Sequence, residues 1–393
     1  MRSARDTTAR GLALRALIDI DGGARANVVV PELLGASRLE PRDRHLVTEL
    51  VYGASRMQRA CDWLTGRYTR GRVDAQVRAA LRLGAYQLGW TRIPPHAAVS
   101  ATVAEVSGPG RSVVNAVLRR VAAEVDQGLV AWPDLATELS YPDWILERLS
   151  ADLGRDRARQ ALQTMNEPAT VSVRSDGYIQ DPASQMIATH LGPLAGPGPV
   201  LDMCAAPGGK ATGLAGGPDG ATMGLVVAAD VSPSRARVVA ANAERTAGAN
   251  AGTATANVAT VVADGTAAPF RDNGFSLVLV DAPCSGLGVL RRRPDARWRV
   301  SPDDIDRLAA LQRRLLASAA GLVRPGGVLA YSVCTLSVAE TASIDNWLSR
   351  TLPGLKPLPP PGGPWTPAGR GALLVPQAAG TDGMFLLTLR AAR

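Results

Sequence analysis

Residues 201–215 read LDMCAAPGGKATGLA, and this stretch decides the fold class. A short apolar run, PVLDM (199–203), leads into a loop with two adjacent glycines and then into a helix-like segment. In doubly wound sheets, ligands bind beyond the carboxyl ends of the strands, where glycines let the backbone approach them. Residues 204–210 are therefore predicted to bind a nucleotide-like ligand. An ordinary glycine-containing turn between strand and helix is the alternative.

Four more short apolar runs follow along the chain, namely GLVVAAD, ATVVAD, SLVLVD and GGVLAYS. Helix-like stretches separate them, the clearest being a stripe at Ile305, Leu308, Leu311, Leu315, Leu316 and Ala319. Strands that alternate with helices are typical of a parallel sheet covered on both faces. Residues 197–393 are thus predicted to form a Rossmann-like α/β domain with a doubly wound, mostly parallel sheet.

Three of these predicted strands end in an acidic residue: Asp230, Asp264 and Asp281. A carboxylate after the second strand is placed to hold ribose hydroxyls. Three carboxylates on one rim repel a phosphate and suit a cationic nucleoside such as S-adenosyl-L-methionine. Aspartate is also common after strands as a turn former or helix N-cap, which is the alternative for each residue.

Residues 1–130 show apolar side chains every three or four positions and are predicted to form an all-α domain, in which Cys61 belongs to the core. They contain 19 Arg, no Lys and 12 acidic residues, so most of the chain's net charge of +8 lies here. Such a basic half favours contact with nucleic acid. A genome-wide preference for arginine over lysine explains the charge equally well. Residues 131–196 are predicted to be a helical linker region.

Composition excludes several classes of protein. Four cysteines in 393 residues do not make a disulfide framework, and three scattered histidines give no metal-ligand spacing, so no metal is expected. No apolar run approaches the ~20 residues that span a bilayer, and the basic start lacks an apolar signal region. We therefore expect a cytoplasmic protein without membrane contact, and a monomer by default.

Two cysteines lie in short polar loops after apolar runs, in DAPCSGLGVLRRRPDARW (281–298) and YSVCTLSVAET (331–341). With the loop at 204–210, these motifs resemble those of the RNA 5-methylcytosine methyltransferases, most closely the bacterial RsmB branch, which acts on small-subunit ribosomal RNA. Residues 1–130 resemble the antitermination factor NusB, the usual RNA-binding N-terminal domain of that branch. QDPASQ from Gln180 and the terminal TDGMFLLTL also fit, so the resemblance covers nearly the whole chain.

The resemblance implies covalent catalysis, because carbon 5 of cytosine is a poor nucleophile until a thiolate adds at carbon 6. It assigns that addition to Cys334, release of the enzyme to Cys284, and hydrogen bonding of the cytosine amino edge to Asp281. S-adenosyl-L-methionine would be bound by Asp281, Asp230, Asp264 and the loop residues Cys204, Ala205, Ala206, Pro207, Gly208, Gly209 and Lys210. Lys210 is also a candidate for orienting Asp281 or the base.

A basic run follows the Cys284 loop, and its residues are candidate RNA contacts: Arg291, Arg292, Arg293, Arg297 and Trp298. Arginines hold phosphates, and an indole offers a stacking face for a base. The alternative is that Trp298 belongs to the core and the arginines to a solvated loop.

Two features depart from the family pattern. Ser276 replaces an aspartate before the strand that leads to Asp281. Only residues 175–179 separate Arg174 from Gln180, where relatives carry several dozen residues of an RNA-contacting subdomain. Either RNA recognition has moved to the basic N-terminal domain, or the chain binds RNA poorly.

Two segments are predicted to lack regular structure. The low-complexity stretch from Ala247 is expected to be a surface loop, and the Pro/Gly-rich stretch from Leu352 a long connection.

Other functions remain as alternatives. They are a non-catalytic RNA-binding protein on a methyltransferase scaffold, methylation of another RNA such as tRNA, a DNA cytosine methyltransferase, and a nicotinamide-dependent oxidoreductase. This sequence lacks the GxGxxG motif that is typical of nicotinamide-dependent oxidoreductases. It also lacks GxxxxGK[ST], which argues against a phosphate-binding loop.

Overall fold

The computed structural model describes residues 8–216, 224–249 and 258–392. The chain divides into two compact units. The first comprises residues 1–147 with 292–299, and the second comprises residues 148–291 with 300–393. The predicted linker 131–196 is therefore split between the two units, and the observed division at Glu147 differs from the expected boundaries at 130 and 196.

The first unit is all helical within its described residues. Its helices are α1 (Ala9–Asp21), α2 (Ala26–Ala36), α3 (Pro41–Arg56), α4 (Gln58–Gly66), α5 (Ala75–Trp90), α6 (Pro95–Ala104), α7 (Gly110–Asp126) and α8 (Leu135–Glu138). Helix α5 lies at the centre and packs against α1, α3, α4, α6 and α7. At Gly84 a Cβ would come within 2.3 Å of Leu118, so a glycine is needed where α5 crosses α7. Cys61 is fully buried in this core.

The second unit contains the remaining helices. They are α9 (Asp143–Leu153, which spans the division), α10 (Arg155–Thr164), α11 (Pro182–Ala195), α12 (Gly209–Gly216), α13 (Pro233–Ala249), α14 (Pro302–Leu322), α15 (Ala342–Thr351) and α16 (Pro376–Ala379). The stripe from Ile305 to Ala319 lies on α14 as predicted. Ser301 and Asp304 form a capping box that starts this helix, an arrangement worth about 1 kcal/mol.

Nine strands within the described residues form one sheet in the order β3-β2-β1-β4-β5-β9-β8-β7, with β6 also paired to β9. They are β1 (Val200–Asp202), β2 (Val226–Asp230), β3 (Val258–Val262), β4 (Phe275–Asp281), β5 (Val323–Val333), β6 (Lys356–Pro357), β7 (Thr366–Ala368), β8 (Gly371–Leu374) and β9 (Met384–Arg390). Strands β1 to β5 pair in parallel, and the others pair antiparallel. The predicted doubly wound, mostly parallel sheet is confirmed.

The order of the strands positions the site. Strand β1 pairs with β2 on one side and β4 on the other, so the direction of winding reverses at β1. A crevice opens at such a switch point, beyond the carboxyl ends of the strands. In the next pair, Asp281 at the end of β4 lies opposite Ser332 of β5. The loops that follow β1, β4 and β5 therefore meet at one edge of the sheet.

The two segments predicted to lack structure have different outcomes. The stretch from Leu352 contains β6 and β7, so the prediction of an unstructured connection was wrong. Proline is tolerated in edge strands, where its missing N–H interrupts no ladder, and Pro357 and Pro367 occupy such strands. The stretch from Ala247 begins in the last turn of α13, and its residues 250–257 lie outside the described residues.

No helix in the described ranges has both the length and the apolarity needed to cross a membrane.

Candidate active site

The glycine loop leaves β1 at its carboxyl end and turns into α12 at Gly209. Its backbone is held against β2, because the Ala205 N–H donates to the Ala229 carbonyl at 2.8 Å. Gly208 has φ +105°, a conformation that residues with a Cβ rarely adopt. The loop therefore turns at the switch point of the sheet, with Gly208 buried against Val239 of α13.

A short hairpin, residues 172–180, supports this loop from outside. Arg174 donates to the Gly209 carbonyl at 2.6 Å and to the Thr212 hydroxyl at 3.0 Å. The Tyr178 hydroxyl donates to the Pro207 carbonyl at 3.3 Å. This hairpin is the segment that sequence analysis identified only as a shortened region. The signal that could have found it is SDG after Val173 and Arg174, a typical tight-turn sequence, with Gly177 at φ +76°.

A carboxylate that sequence analysis missed lies directly before the loop. Asp202 is fully buried at the end of β1, and neither of its oxygens has a hydrogen-bond partner among the described residues. Burial, followed by the nearby charge of Asp281, raises the pKa of Asp202 to about 7, against the opposing effect of Lys210. Its position within the apolar run LDM concealed it, because the residue reads as part of the strand.

The predicted carboxylates occupy different environments. Asp230 is buried at the end of β2, accepts from the Ser232 N–H at 3.0 Å and lies 3.2 Å from Arg235. Asp264 is exposed and caps a short 3-10 turn by accepting from the N–H and hydroxyl of Thr266. Hydrogen bonds from Thr266 lower the pKa of Asp264. The capping alternative thus holds for Asp264, although its assignment as a cofactor contact stays a prediction.

Lys210 and Asp281 form an ion pair, with 2.7 Å between the Nζ and Oδ2 atoms. The pairing of β1 with β4 brings these residues together across 71 positions of sequence. Burial lowers the pKa of the Lys210 ammonium, but the charges of Asp281, Cys334 and Asp202 outweigh it and leave that pKa above its usual value. The ammonium therefore stays charged within reach of the Cys334 sulfur.

The two loop cysteines lie side by side, with 3.3 Å between their Sγ atoms. Both are thiols rather than a disulfide. The hydrogen bond with Cys334 raises the pKa of Cys284, and burial and the charges of Cys334 and Glu340 raise it further. Either sulfur can be the donor in this hydrogen bond, and the charge of Cys334 is also felt by Lys210, whose pKa it raises. Cys204 is a poor nucleophile, because burial and three neighbouring carboxylates raise its pKa.

A network of buried polar side chains joins the two cysteine loops. Glu340 is fully buried and accepts from the Ser285 N–H at 2.8 Å and from the Ser285 hydroxyl. Ser285 also hydrogen-bonds Thr335 at 2.8 Å, and Gln312 donates to Glu340 at 3.1 Å and to the Pro283 carbonyl at 2.9 Å. Burial raises the pKa of Glu340, while these donors oppose the rise. Sequence analysis missed Glu340 because only the fold shows that it is buried.

The loops also touch backbone to backbone at Gly288. Its N–H donates to the Cys334 carbonyl at 3.0 Å, and its carbonyl accepts from the Gly383 N–H at 2.8 Å. A Cβ at position 288 would come within 2.1 Å of the Gly383 carbonyl oxygen. The GLG sequence after Cys284 is thus explained by close packing of three backbone segments.

The structure corrects part of the predicted RNA surface. Arg291 is buried and donates to the carbonyls of Glu167, Pro168 and Gly380. Its guanidinium therefore serves the fold rather than RNA, since buried donors must be paired within the protein.

Arg297 is corrected in the same way. Arg297 is fully buried in the first unit, where its guanidinium lies 3.8 Å from the centre of the Tyr141 ring and donates to the Ser140 carbonyl at 3.0 Å. Trp298 is half-buried and its indole N–H donates to the Ser55 carbonyl at 2.7 Å. The assignment of Trp298 as an RNA contact stays a prediction. Arg292 and Arg293 are exposed and stay candidates.

Comparison with known proteins agrees with this geometry. Residues 188–390 match the family described as 16S rRNA methyltransferase RsmB/F, and residues 7–123 match the NusB family. The ribosomal RNA small subunit methyltransferase B of Thermus thermophilus is 34% identical, covering 98% of both chains. The crystal structure of PH0851 superimposes with a TM-score of 0.72 at 22% identity, covering 96% of this chain and 98% of that chain, a likeness in fold.

A Mycobacterium tuberculosis protein named as a methyltransferase is 34% identical over 440 aligned positions, covering 93% of each chain. Those positions outnumber the 393 residues of this chain, so the mycobacterial relative has residues that this chain lacks. The NusB match lies within the first unit, and most of the RsmB/F match lies in the second. The chain belongs to the 16S rRNA methyltransferase RsmB/F family and carries a NusB-family region at its N-terminal end.

Proposed function

We propose that this RNA methyltransferase transfers a methyl group from S-adenosyl-L-methionine to carbon 5 of a cytosine in small-subunit ribosomal RNA, through a covalent adduct with Cys334. The observation that carries the proposal is the pair of thiols 3.3 Å apart, beside the Lys210–Asp281 ion pair. One cysteine suffices for a nucleophile. A second at hydrogen-bonding distance fits a reaction that must also remove a proton and release the enzyme.

The residues present fit a cationic nucleoside cofactor, which when bound supplies a methyl group on a sulfonium centre. Asp202, Asp230 and Asp281 lie near one another at the ends of neighbouring strands, with Lys210 as the partner of Asp281. Lys210 and Arg235 balance two of these three carboxylates, so the cluster keeps one excess negative charge, which favours a positive ligand and disfavours a phosphate. The loop after β1 would hold the adenosine, and Asp230 at the end of β2 would accept from ribose hydroxyls.

Cys334 would act as the nucleophile. Its thiolate adds to carbon 6 of the cytosine, the carbon 5–carbon 6 double bond opens, and carbon 5 becomes electron-rich enough to take a methyl group. The Lys210 ammonium stabilises the thiolate before attack. Asp281, held by Lys210, would accept from the amino edge of the base. The contact with Asp281 would orient the cytosine over the two thiols.

Cys284 would complete the reaction. The hydrogen bond with Cys334 and the charge of that neighbour both raise the pKa of Cys284. Once Cys334 is bound to carbon 6 as a neutral thioether, its negative charge is gone, so the pKa of Cys284 falls. Cys284 can then lose its proton and act as the base. It takes the proton from carbon 5, the double bond re-forms, and the bond between carbon 6 and Cys334 breaks.

A denaturing gel tests the assignment of the two cysteines. Protein, small-subunit ribosomal RNA transcript and S-adenosyl-L-methionine are incubated and the covalent complex is measured. Cys284→Ala is expected to accumulate a protein–RNA band, because addition proceeds and release fails. Cys334→Ala and the double variant are expected to give no band.

Cys61→Ala is the matched control, because it removes a thiol from the core of the first unit whereas the cysteine pair belongs to the second, and it should turn over like the wild type. A band that persists in Cys334→Ala would refute the assignment of the nucleophile. Absence of both adduct and methyl transfer in every variant would refute the proposed function.

A further inference from the structure

The two active-site cysteines are held in place by different parts of the second unit. Cys334 directly follows β5, and that strand stays paired to β9 as far as Val333. The Cys334 carbonyl also accepts from the Gly288 N–H at 3.0 Å. Cys284 instead lies in the loop after β4, beyond the paired residues of the sheet. Its position therefore depends on the contacts that hold this loop.

The neighbours of Cys284 on both sides are anchored by two fully buried side chains, Gln312 and Glu340. Before the cysteine, the Pro283 carbonyl accepts from Gln312 at 2.9 Å. After it, the Ser285 N–H donates to Glu340 at 2.8 Å, and the Ser285 hydroxyl donates to the same carboxylate. Gln312 in turn donates to Glu340 at 3.1 Å. Glu340 thus acts on one neighbour of Cys284 directly and on the other through Gln312.

The Glu340 carboxylate is itself fixed by its surroundings. It lies in a short 3-10 turn, Val338–Glu340, and its own carbonyl oxygen is 2.7 Å from the Tyr331 hydroxyl. The same hydroxyl lies 2.9 Å from the Gln312 Oε1 atom. A buried carboxylate that accepts from the Ser285 N–H, the Ser285 hydroxyl and Gln312 is costly to displace. It is therefore a rigid anchor for the Cys284 loop.

Loss of this carboxylate acts unequally on the two cysteines. Ser285 and Glu340 are linked to the Cys334 loop through Thr335, which lies 2.8 Å from the Ser285 hydroxyl. That link follows Cys334 in sequence, whereas the pairing of β5 with β9 precedes it and stays intact without Glu340. The backbone N–H next to Cys284, by contrast, loses its acceptor.

We propose that Glu340 is a positioning residue for Cys284 and holds this thiol beside Cys334 for release of the enzyme from the methylated base. The inference deepens the proposed function, on which it rests for the roles of the two cysteines. In the release step Cys284 takes the proton from carbon 5, the carbon 5–carbon 6 double bond re-forms, and Cys334 leaves as a thiolate. This transfer requires Cys284 within hydrogen-bonding reach of that proton. Without Glu340 the adduct would still form on Cys334 and would decay slowly.

The test measures formation and decay of the adduct separately. Full-length protein, labelled small-subunit ribosomal RNA transcript and S-adenosyl-L-methionine are mixed. The covalent band is followed on denaturing gels during the first turnover, and then during a chase with excess unlabelled RNA. In Glu340→Ala, decay is expected to slow about tenfold, since a displacement of about 1 Å can slow a reaction by up to about 100-fold. Formation should stay near the wild-type rate, because β9 still holds β5.

Glu340→Gln is the conservative variant. It keeps an acceptor oxygen for the Ser285 N–H, so it should slow decay less than Glu340→Ala does. The matched control is Asp345→Ala, which removes another buried carboxylate of the second unit, one that accepts from the Arg370 N–H at 2.8 Å and from its Nε at 2.6 Å. Its adduct should decay at the wild-type rate.

Three results overturn the proposal. The first is equal decay rates in Glu340→Ala and the wild type, and the second is equal slowing in Glu340→Ala and Asp345→Ala. The third is a Glu340→Ala variant in which formation and decay slow alike, because the carboxylate then supports the whole site rather than Cys284.

Amide hydrogen exchange of the cofactor-free protein gives a readout that is independent of activity. In Glu340→Ala, exchange of the Ser285 amide should speed up more than exchange of the Ala282 amide. Ala282 is the internal reference, because its N–H donates to the Ser332 carbonyl at 2.9 Å and does not involve Glu340. Equal changes at both amides would show that the loop is not anchored by this carboxylate.

The two proposals fail in different ways. If Cys284→Ala accumulates the adduct and Glu340→Ala does not, the positioning role is refuted and the proposed function stands. If neither the wild type nor Cys284→Ala forms an adduct and no methyl group is transferred, the proposed function is refuted, and the role of Glu340 in release is refuted with it.

Discussion

Asp202→Asn is expected to change how the stability of the second unit depends on pH. The Asp202 carboxyl is fully buried without hydrogen-bond partners among the described residues, and burial raises its pKa from 3.8 to about 7. Between these two values the native state holds a proton that the unfolded state has lost. The free energy of unfolding therefore falls as pH rises from about 4 to about 7. The asparagine variant has no such proton and should lack this fall.

The magnitude follows from the two pKa values of the carboxyl. Each unit of difference corresponds to about 1.4 kcal/mol, so the carboxylate costs the native state about 4 kcal/mol at pH 8. Asp202→Asn should consequently gain about that much relative to wild type between pH 4 and pH 8. This figure already includes the attraction of Lys210, because the charge of that ammonium lowers the pKa of Asp202.

Amide hydrogen exchange of the cofactor-free protein is the appropriate assay. The β1 and β4 amides report the opening free energy of the second unit without requiring that both units unfold together. Asp264→Asn is the control, because Asp264 is exposed and hydrogen bonds lower its pKa. The Asp264 carboxylate loses its stabilising effect only as pH falls below about 4. The difference in opening free energy between Asp264→Asn and wild type should therefore be constant from pH 4 to pH 8. An equally flat difference for Asp202→Asn would refute the reasoning.

Two further predictions concern the contacts between the cysteine loops. Glu340→Ala removes the acceptor of three buried hydrogen bonds from Ser285 and Gln312, although the Ser285 hydroxyl can still bond Thr335 and Gln312 still donates to the Pro283 carbonyl. It should destabilise the protein by about 2–4 kcal/mol, whereas Glu340→Gln keeps an acceptor oxygen and should cost about 1–2 kcal/mol. Equal losses in thermal unfolding would contradict this. Gly288→Ala places a Cβ against the backbone of Gly383 and Cys334, so adduct formation should slow at least tenfold. The control is Gly362→Ala, which should not change the rate because Gly362 has open space around it. Similar rates for both alanine variants would show that the loops tolerate displacement.

Much of this protein follows from local sequence. Short apolar runs predicted β1 to β5, and the period-3.6 pattern predicted α14 and the helical first unit, because the length and spacing of apolar stretches report which elements are buried. The glycine loop and both cysteine motifs were found in the same way, since each lies directly after a strand. The Pro/Gly-rich stretch from Leu352 was misread, because pairing with β9 decides whether such a segment becomes an edge strand.

Other properties depend on residues far apart in the chain. The order of the strands brings Lys210 to Asp281 and Cys284 to Cys334, and no local pattern determines that order. Arg297 was predicted from the sequence to contact RNA, but its side chain is buried inside the first unit. Local sequence does not show that burial.

The charge state of Asp202 likewise comes from a burial that sequence does not reveal. The sequence was enough to predict the main strands and helices and the chemical groups that follow them. Packing between distant segments sets which of those groups meet and which of them water reaches, so these properties follow from the tertiary structure alone.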